Sequence, residues 1–390
     1  MNVLFIDWPC FGKEDAIASL KQLGYSITLF SHKDYQERIS VAYNEAFREM
    51  IRTKTYRFCF SFNYYPVVAE NCKQHHIPYI SIVYDNPFVF LYSYTIVYPT
   101  NYVFIFDKTE YLKLRDMGIT TVHYMVLPVN ALKIKSLLKK DFDRKKMTCE
   151  LSFVGSLYNE SHNLFERLSG ITAYTKGFLD AIMQAQSKIY GYNFLEELLK
   201  TNGILDDLSH VLPYESDCYG IETPEYIYAN YFLCRKITSI ERQQLLSSIA
   251  EHFPLKLKLF TINKNVNIPQ LCNMGIADYS SEMPYIFANS KINLNITLKS
   301  IQSGIPLRAM DIMGAGGFLL TNYQADFLDY FVPDEDFVYY TDPDDLLAKI
   351  EYYLSHEKER SEIAQNGYQK VLENHSFEKS FASIFSIVFS

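Results

Sequence analysis

At 390 residues the chain exceeds what one compact core accommodates, and two domains are expected. Its 37 Lys and Arg against 45 Asp and Glu leave a formal charge of −8, which argues against sequence-independent nucleic-acid binding. A composition 48% hydrophobic and 21% charged excludes disorder over most of the length, and 32 Tyr and 28 Phe stand beside a single Trp.

The opening MNVLFIDWPCFGKED lacks a basic segment and carries Asp7, so it reads as a first strand rather than a leader. Val3 to Ile6 is followed by a helix from Asp15 to Leu23, with Ile17, Leu20 and Leu23 at helical spacing and Gly24 just past its end. Ser26 to Phe30 is a second strand, and a helix follows at about 40–52. Arg57 to Phe62, Tyr79 to Val83 and Tyr102 to Phe106 are three more β-rich runs. This alternation predicts a parallel α/β sheet with helices on both faces.

Between Asp85 and Asp107 lie 21 residues without formal charge, nominally enough to span a bilayer. Pro87, Pro99, Asn86, Asn101 and four tyrosines interrupt them, so the stretch reads as buried strand and loop, with no transmembrane segment. The expected location is cytoplasmic. Seven scattered cysteines (10, 59, 72, 149, 218, 234 and 272) include no C-x-x-C pair and no cluster with the nine His. They argue against structural zinc and, without a leader, for reduced thiols.

Residues 133–146 carry seven cations and two Asp, and read as a solvated connector. The alternation restarts with a strand at 151–154 that runs into Gly155-Ser156. An all-α insertion is expected at about 158–253, with Phe178, Ile182, Ala185 and Ile189 on one stripe and Leu245, Leu246 and Ile249 on a later one. Strands resume at 255–261, 292–296 and 317–321, and helices at 346–354, 357–372 and 377–389 close the chain. The expected domains are 1–132 and 148–390, joined by a linker at 133–147.

Two doubly wound sheets bind ligands at the carboxyl ends of their strands, so the candidate residues lie just past each strand. The loop Asp7 to Gly12 holds one glycine, which excludes the dinucleotide fingerprint, and no P-loop motif exists. The D-x-D triplets at Asp141–Asp143 and Asp334–Asp336 end no apolar strand; both are expected to face solvent, and no catalytic metal or cofactor is expected. The segment SGIPLRAMDIMGAGGFLLTN, 303–322, starts a helix after Pro306 and ends it at Gly314, Gly316 and Gly317. Arg308 and Asp311 share one face near that helix's N-terminus. They suit a diphosphate and a ribose, or else form an intrahelical ion pair with no ligand.

This segment resembles glycosyltransferases of GT-B architecture, in particular the spore-maturation CgeB-like branch with its P-x-R-x-x-[DE] pattern. Asp345-Leu346, Tyr352-Tyr353-Leu354, Arg360, Ile363-Ala364 and Asn366-Gly367-Tyr368 extend the resemblance. So do Phe153 to Asn159, and Gln186 with Tyr190-Gly191-Tyr192. Asp7-Trp8, Gly12 to Asp15, Phe62-Asn63-Tyr64, Tyr84 to Pro87 and Phe106 to Lys108 resemble the DUF3880 domain often fused to that branch. The resemblance implies a GT-B fold, with two Rossmann-like domains facing a cleft and a nucleotide-sugar donor held mainly by the second.

It makes Gly155 and Ser156 the loop that approaches the donor phosphates, Arg308 the diphosphate-binding cation and Asp311 the ribose-binding acid. Ser303 stands where an E-x7-E motif has its first Glu, and Asp311 is one methylene shorter than the usual second. On the acceptor side, Asp85 is the candidate general base with Asp15 as its rival, and Gly12 allows close approach to phosphates or sugar. Asp85 reads equally well as a turn cap before Pro87, and Asp15 as a helix-start acid. The implied reaction is metal-independent transfer from a UDP-sugar to an acceptor hydroxyl. A sugar-nucleotide epimerase or hydrolase and a silent nucleotide-sugar-binding protein are the alternatives.

Overall fold

The computed structural model describes residues 1–159, 163–201, 203–217 and 219–389. Cys218, and residues 160–162 and 202 of the expected insertion, lie outside them. The chain forms two compact units: Met1–Pro128 with Ser216–Thr223 and His375–Ser390, and Val129–Glu215 with Pro224–Asn374.

The first unit runs β1 (Asn2–Ile6), α1 (Lys13–Gln22), β2 (Ser26–Phe30), α2 (Val41–Arg52), β3 (Phe58–Phe62), α3 (Pro66–Gln74), β4 (Tyr79–Val83), β5 (Asn101–Ile105), α4 (Lys108–Asp116) and β6 (Val122–Tyr124). All strands are parallel, in the order β2-β1-β3-β4-β5-β6. FCFSF and YISIV do not alternate because β3 and β4 are buried at every position, with cover on both faces. Side chains fix the helix starts: Ser40 Oγ accepts from Tyr43 N at 3.0 Å, and Asp107 Oδ1 from Thr109 N at 3.0 Å. Because β1 lies between β2 and β3, the sheet's switch point falls at the carboxyl ends of β1 and β3.

The uncharged stretch after Asp85 folds into short 3₁₀ turns at Val89–Leu91 and Tyr94–Val97 and then β5. No described helix is long and apolar enough to cross a membrane.

The second unit runs α5 (Ala131–Leu137), α6 (Arg144–Met147), β7 (Cys149–Val154), α7 (Ala173–Ser187), α8 (Leu195–Leu199), α9 (Ile204–Val211), α10 (Pro224–Ile227), a π-helical turn (Tyr228–Leu233) and α11 (Cys234–His252). It continues with β8 (Leu257–Phe260), β9 (Cys272–Gly275), α12 (Met283–Ala288), β10 (Ser290–Asn295), α13 (Leu307–Gly314), β11 (Leu319–Asn322), β12 (Val338–Tyr340), α14 (Pro343–Ser355) and α15 (Glu357–Asn374). Its strands are again parallel, in the order β12-β11-β10-β7-β8-β9. The switch point lies between β7 and β10, where the residues after Val154 and Asn295 meet.

The structure departs from expectation in four places. The last helix, α16 (Phe377–Val388), joins the first sheet instead of the second. Phe377, Phe381 and Phe385 lie against Phe62, Phe60 and Phe58, with ring centroids 6.4, 5.5 and 5.4 Å apart. Four helical residues rise about 6 Å and two strand residues about 6.6 Å, so the two phenylalanine ladders keep step.

Residues 216–223 leave the helical insertion for the first unit. There Arg38 bonds Glu222 at 2.7 Å and Asp217 at 3.2 Å, and Ile221 N donates to Tyr92 O at 2.8 Å. The basic segment 133–146 is partly helical, with Lys146 paired to Glu282 and Lys135 Nζ 5.6 Å from the Tyr368 ring centre. Finally, Asp336 is buried rather than solvent-facing: it accepts from Val332 N at 2.6 Å and pairs with Lys370.

Candidate functional site

In the second unit the candidate residues gather at the β7/β10 switch point. Gly155 extends the ladder one residue past β7, and its N–H donates to Phe260 O at 2.9 Å. That N–H is therefore spent in the sheet. Ser156 turns the chain away, its Oγ accepting from Tyr158 N at 2.9 Å.

Arg308 lies in the first turn of α13, which Pro306 opens without a side-chain cap. Its Nη1 donates to Val154 O, and the guanidinium carbon sits 5.8 Å from the Phe287 ring centre. Its Nε is buried and has no hydrogen-bond partner among the described residues. Burial lowers the guanidinium pKa, with Asp311 opposing, yet the group stays charged at neutral pH. A buried cationic donor in the first turn of a helix is an arrangement that can receive an anion. Asp311 is also buried and accepts from Tyr279 Oη at 3.1 Å. Arg308 thus bonds Val154 O while Asp311 bonds Tyr279 Oη.

Two further groups complete this region. Arg242, on α11, is buried; its Nε donates to Ile296 O at 3.1 Å and its Nη1 to Ser156 O. Its guanidinium lies between the rings of Phe153 and Tyr158, at 5.3 and 5.0 Å. It falls on the buried stripe with Leu245, Leu246 and Ile249, so a charge on an apolar helical face was the signal that could have found it. Lys299, buried after β10, donates to Ser187 O at 3.0 Å and lies 3.4 Å from Glu241 and 3.6 Å from the Tyr190 ring centre. Burial lowers its pKa and Glu241 raises it. With Tyr190, Gln302, Asn322 and Gln324, Lys299 lines a small, open recess.

In the first unit Asp85 is exposed after β4, and Asn63 Nδ2 donates to its Oδ2 at 2.7 Å. Asn63 Oδ1 accepts from Tyr84 N at 3.2 Å and Asp85 N at 3.4 Å. Asn63 is buried with φ 56°, a left-handed conformation that positions its amide. The Asn63 amide holds the turn, and it is also what orients the carboxylate. Asp15 lies in the first turn of α1, half-buried. Gly12 starts that helix at φ 74°, and a Cβ there would meet Phe377 Cζ at 3.1 Å and Phe62 Cζ at 3.3 Å. Gly12 therefore makes room for rings of its own unit. Asp7 and Lys13 form an ion pair beside it at 2.8 Å.

A family model described as Glycosyl transferase-like matches residues 242–386, a span that begins at Arg242 and contains Tyr279, Arg308 and Asp311. No curated protein matches the chain. Among solved structures it is similar to a glycosyltransferase from Rickettsia africae ESF-5, with 10% identity, 99% of this chain and 98% of that one covered and a TM-score of 0.52. It is similar also to an alpha-glucosyltransferase solved with UDP and a 13-mer DNA containing an HMU base, with 10% identity, both chains covered at 100% and a TM-score of 0.53. A UDP-forming alpha,alpha-trehalose-phosphate synthase from Burkholderia xenovorans follows, with 9% identity, 100% and 99% coverage and a TM-score of 0.53. These likenesses are of fold: two six-stranded, doubly wound parallel sheets of the GT-B class.

Proposed function

We propose that this chain is a glycosyltransferase that moves a sugar from a UDP-sugar to an acceptor hydroxyl without a metal ion. The observation that carries the reading is the buried Arg308 Nε, without an acceptor among the described residues, beside the uncapped start of α13. A diphosphate supplies the missing acceptor, and Arg308 with the helix N-terminus stabilises it as it leaves. Asp311, with Tyr279, holds the ribose hydroxyls. The similar structures solved with UDP, or named as UDP-forming, support the choice of nucleotide.

In an inverting course the acceptor oxygen attacks the anomeric carbon, the bond to the diphosphate breaks, and the acceptor proton passes to Asp85 in the first unit. Asp15 is the second candidate for that proton. A thermal-shift panel of nucleotide sugars tests the reading. The donor at 100 times its Kd adds about 2.7 kcal/mol of stability, and no shift from any nucleotide diphosphate or its sugar would sink it. Donor consumption only in the presence of acceptor separates transfer from epimerisation or hydrolysis.

A further inference from the structure

Residues 133–146 take no part in the donor site, yet they concentrate charge. They hold seven cations and two Asp, an excess of five in a chain whose net charge is −8. A bare connector would leave such a run loose in solvent, but this one is fastened to the second unit. Tyr285 Oη donates to Leu137 O at 2.6 Å, and the Phe142 ring stacks on the Tyr285 ring with centroids 4.8 Å apart. Beyond Phe142, Lys258 of β8 donates to Lys145 O at 2.5 Å and to Thr148 O at 2.9 Å, and Lys146 pairs with Glu282.

The fastening divides the cations into two sets. Lys146 and Lys258 are engaged by the protein itself. Lys139, Lys140, Arg144 and Lys145 are exposed, and none of them forms an ion pair among the described residues. Exposed Lys256 directly precedes β8, two residues before the Lys258 that reaches back to this segment. Beside it Leu255 is 65% exposed and holds φ 60°. Glycine or asparagine adopts that left-handed conformation at less cost, and the leucine gains no burial from it. These groups lie at the amino ends of β7 and β8, the opposite edge of the sheet from Val154 and Arg308.

The arrangement selects among anionic partners. A small anion needs convergent donors in a recess, whereas these cations are spread along an exposed face. An exposed leucine gains nothing from a phosphate backbone but enters the boundary between head groups and acyl chains of a bilayer. A nucleic-acid base needs a free ring to stack on, and Phe142 is half-buried and already stacked on Tyr285.

We propose that this face docks on an anionic lipid bilayer, with Lys139, Lys140, Arg144, Lys145 and Lys256 at the head groups and Leu255 in the interface. The contact is peripheral and reversible, and each cation strengthens it about fivefold. It does not rest on the transferase reading.

Sedimentation of the whole protein with vesicles tests the proposal. One set is phosphatidylcholine alone and the other a one-to-two mixture of phosphatidylglycerol and phosphatidylcholine. The protein sediments with the mixed vesicles at low salt, far less with phosphatidylcholine, and is released at high salt. Lys139→Gln, Lys140→Gln, Arg144→Gln and Lys145→Gln together lower the mixed-vesicle partition on the order of 10²-fold, with an unchanged melting temperature. Leu255→Asn, which suits the left-handed backbone, lowers it by less.

Equal sedimentation with both vesicle types, or none with either, overturns the proposal. So does a quadruple variant that partitions like the wild type. A labelled single-stranded RNA supplies the last arm: RNA bound by the wild type and lost in the quadruple variant, without vesicle binding, assigns the face to nucleic acid and overturns the lipid reading.

Discussion

Arg242 and Arg308 hold the two carbonyls that flank Gly155, Arg308 donating to Val154 O and Arg242 to Ser156 O. They come from different helices, so the turn after β7 is fixed from two directions. This shared grip divides the roles of the two arginines: Arg242 donates to backbone, while Arg308 has one buried donor without a partner among the described residues.

Arg308→Ala therefore removes a backbone bond and, on the proposed function, the donor to the diphosphate. We expect about 1 kcal/mol of lost stability and a loss on the order of 10²-fold in kcat/KM for transfer. Arg308→Lys restores part of the rate, because a point charge cannot reproduce a fork. Steady-state kinetics with parallel melting curves check this; wild-type kinetics in the alanine variant would leave Arg308 a purely structural residue.

Arg242→Met should act in the opposite proportion. Two buried carbonyls lose their donor, and stability falls by about 2–3 kcal/mol. Donor affinity falls as a secondary effect of a loosened turn. Denaturant midpoints compared with donor Kd values decide the matter, and an unchanged midpoint would refute the backbone role.

Asp85→Asn keeps the size of the side chain and removes its basicity. In an inverting enzyme kcat should drop by roughly 10²–10⁴ with donor KM unchanged. Asn63→Gly tolerates the positive φ and deletes the amide that aims the carboxylate, so it should lower kcat in the same direction by less. Product stereochemistry is read first, because in a retaining course the donor phosphate itself can take the proton. Inversion with normal turnover in Asp85→Asn moves the base to Asp15.

Neither D-x-D triplet ends a strand, since Asp141 and Asp143 flank the start of α6 and Asp336 is tied to Lys370. Transfer should survive EDTA nearly intact. Activity abolished by EDTA and restored by Mn²⁺ would show that the diphosphate is held differently.

His375 supplies a pH test that needs no substrate. Burial lowers its pKa from 6.5 to about 4, so the folded protein keeps it neutral while the unfolded chain binds a proton near pH 6.5. Between those values the unfolded state carries more protons, and stability falls as the pH falls. About 2 kcal/mol should be lost between pH 7 and pH 5 from this residue. Melting of His375→Asn over that range should show a correspondingly shallower slope; an identical slope would remove His375 from the account.

The strands that cross the middle of each sheet were legible because burial on both faces writes them as unbroken apolar runs. Tyr79–Val83 matches its run residue for residue, and most others shift by one or two. β6, β9 and β12 were not, since three or four residues at or next to a sheet edge carry little periodic signal. The closing helix at 377–389 was legible, but a helical run does not say which sheet it fits. At the candidate site, helical spacing placed Arg308 and Asp311 on one face, whereas Tyr279 reaches Asp311 across 32 residues and leaves no local trace. Asn63 was noticed only as part of a resemblance, because its role depends on a backbone angle.

The helix α16 closes the sheet that begins at residue 2, covering Phe58, Phe60 and Phe62 with its own phenylalanines. A ribosome making this chain in order releases all six strands of the first sheet long before that helix exists. Until then one face of the sheet keeps its aromatic ladder in water, a surface that chaperones bind and that aggregates. Such a chain joins its two ends last, and its earliest-made sheet is among the last parts to be completed.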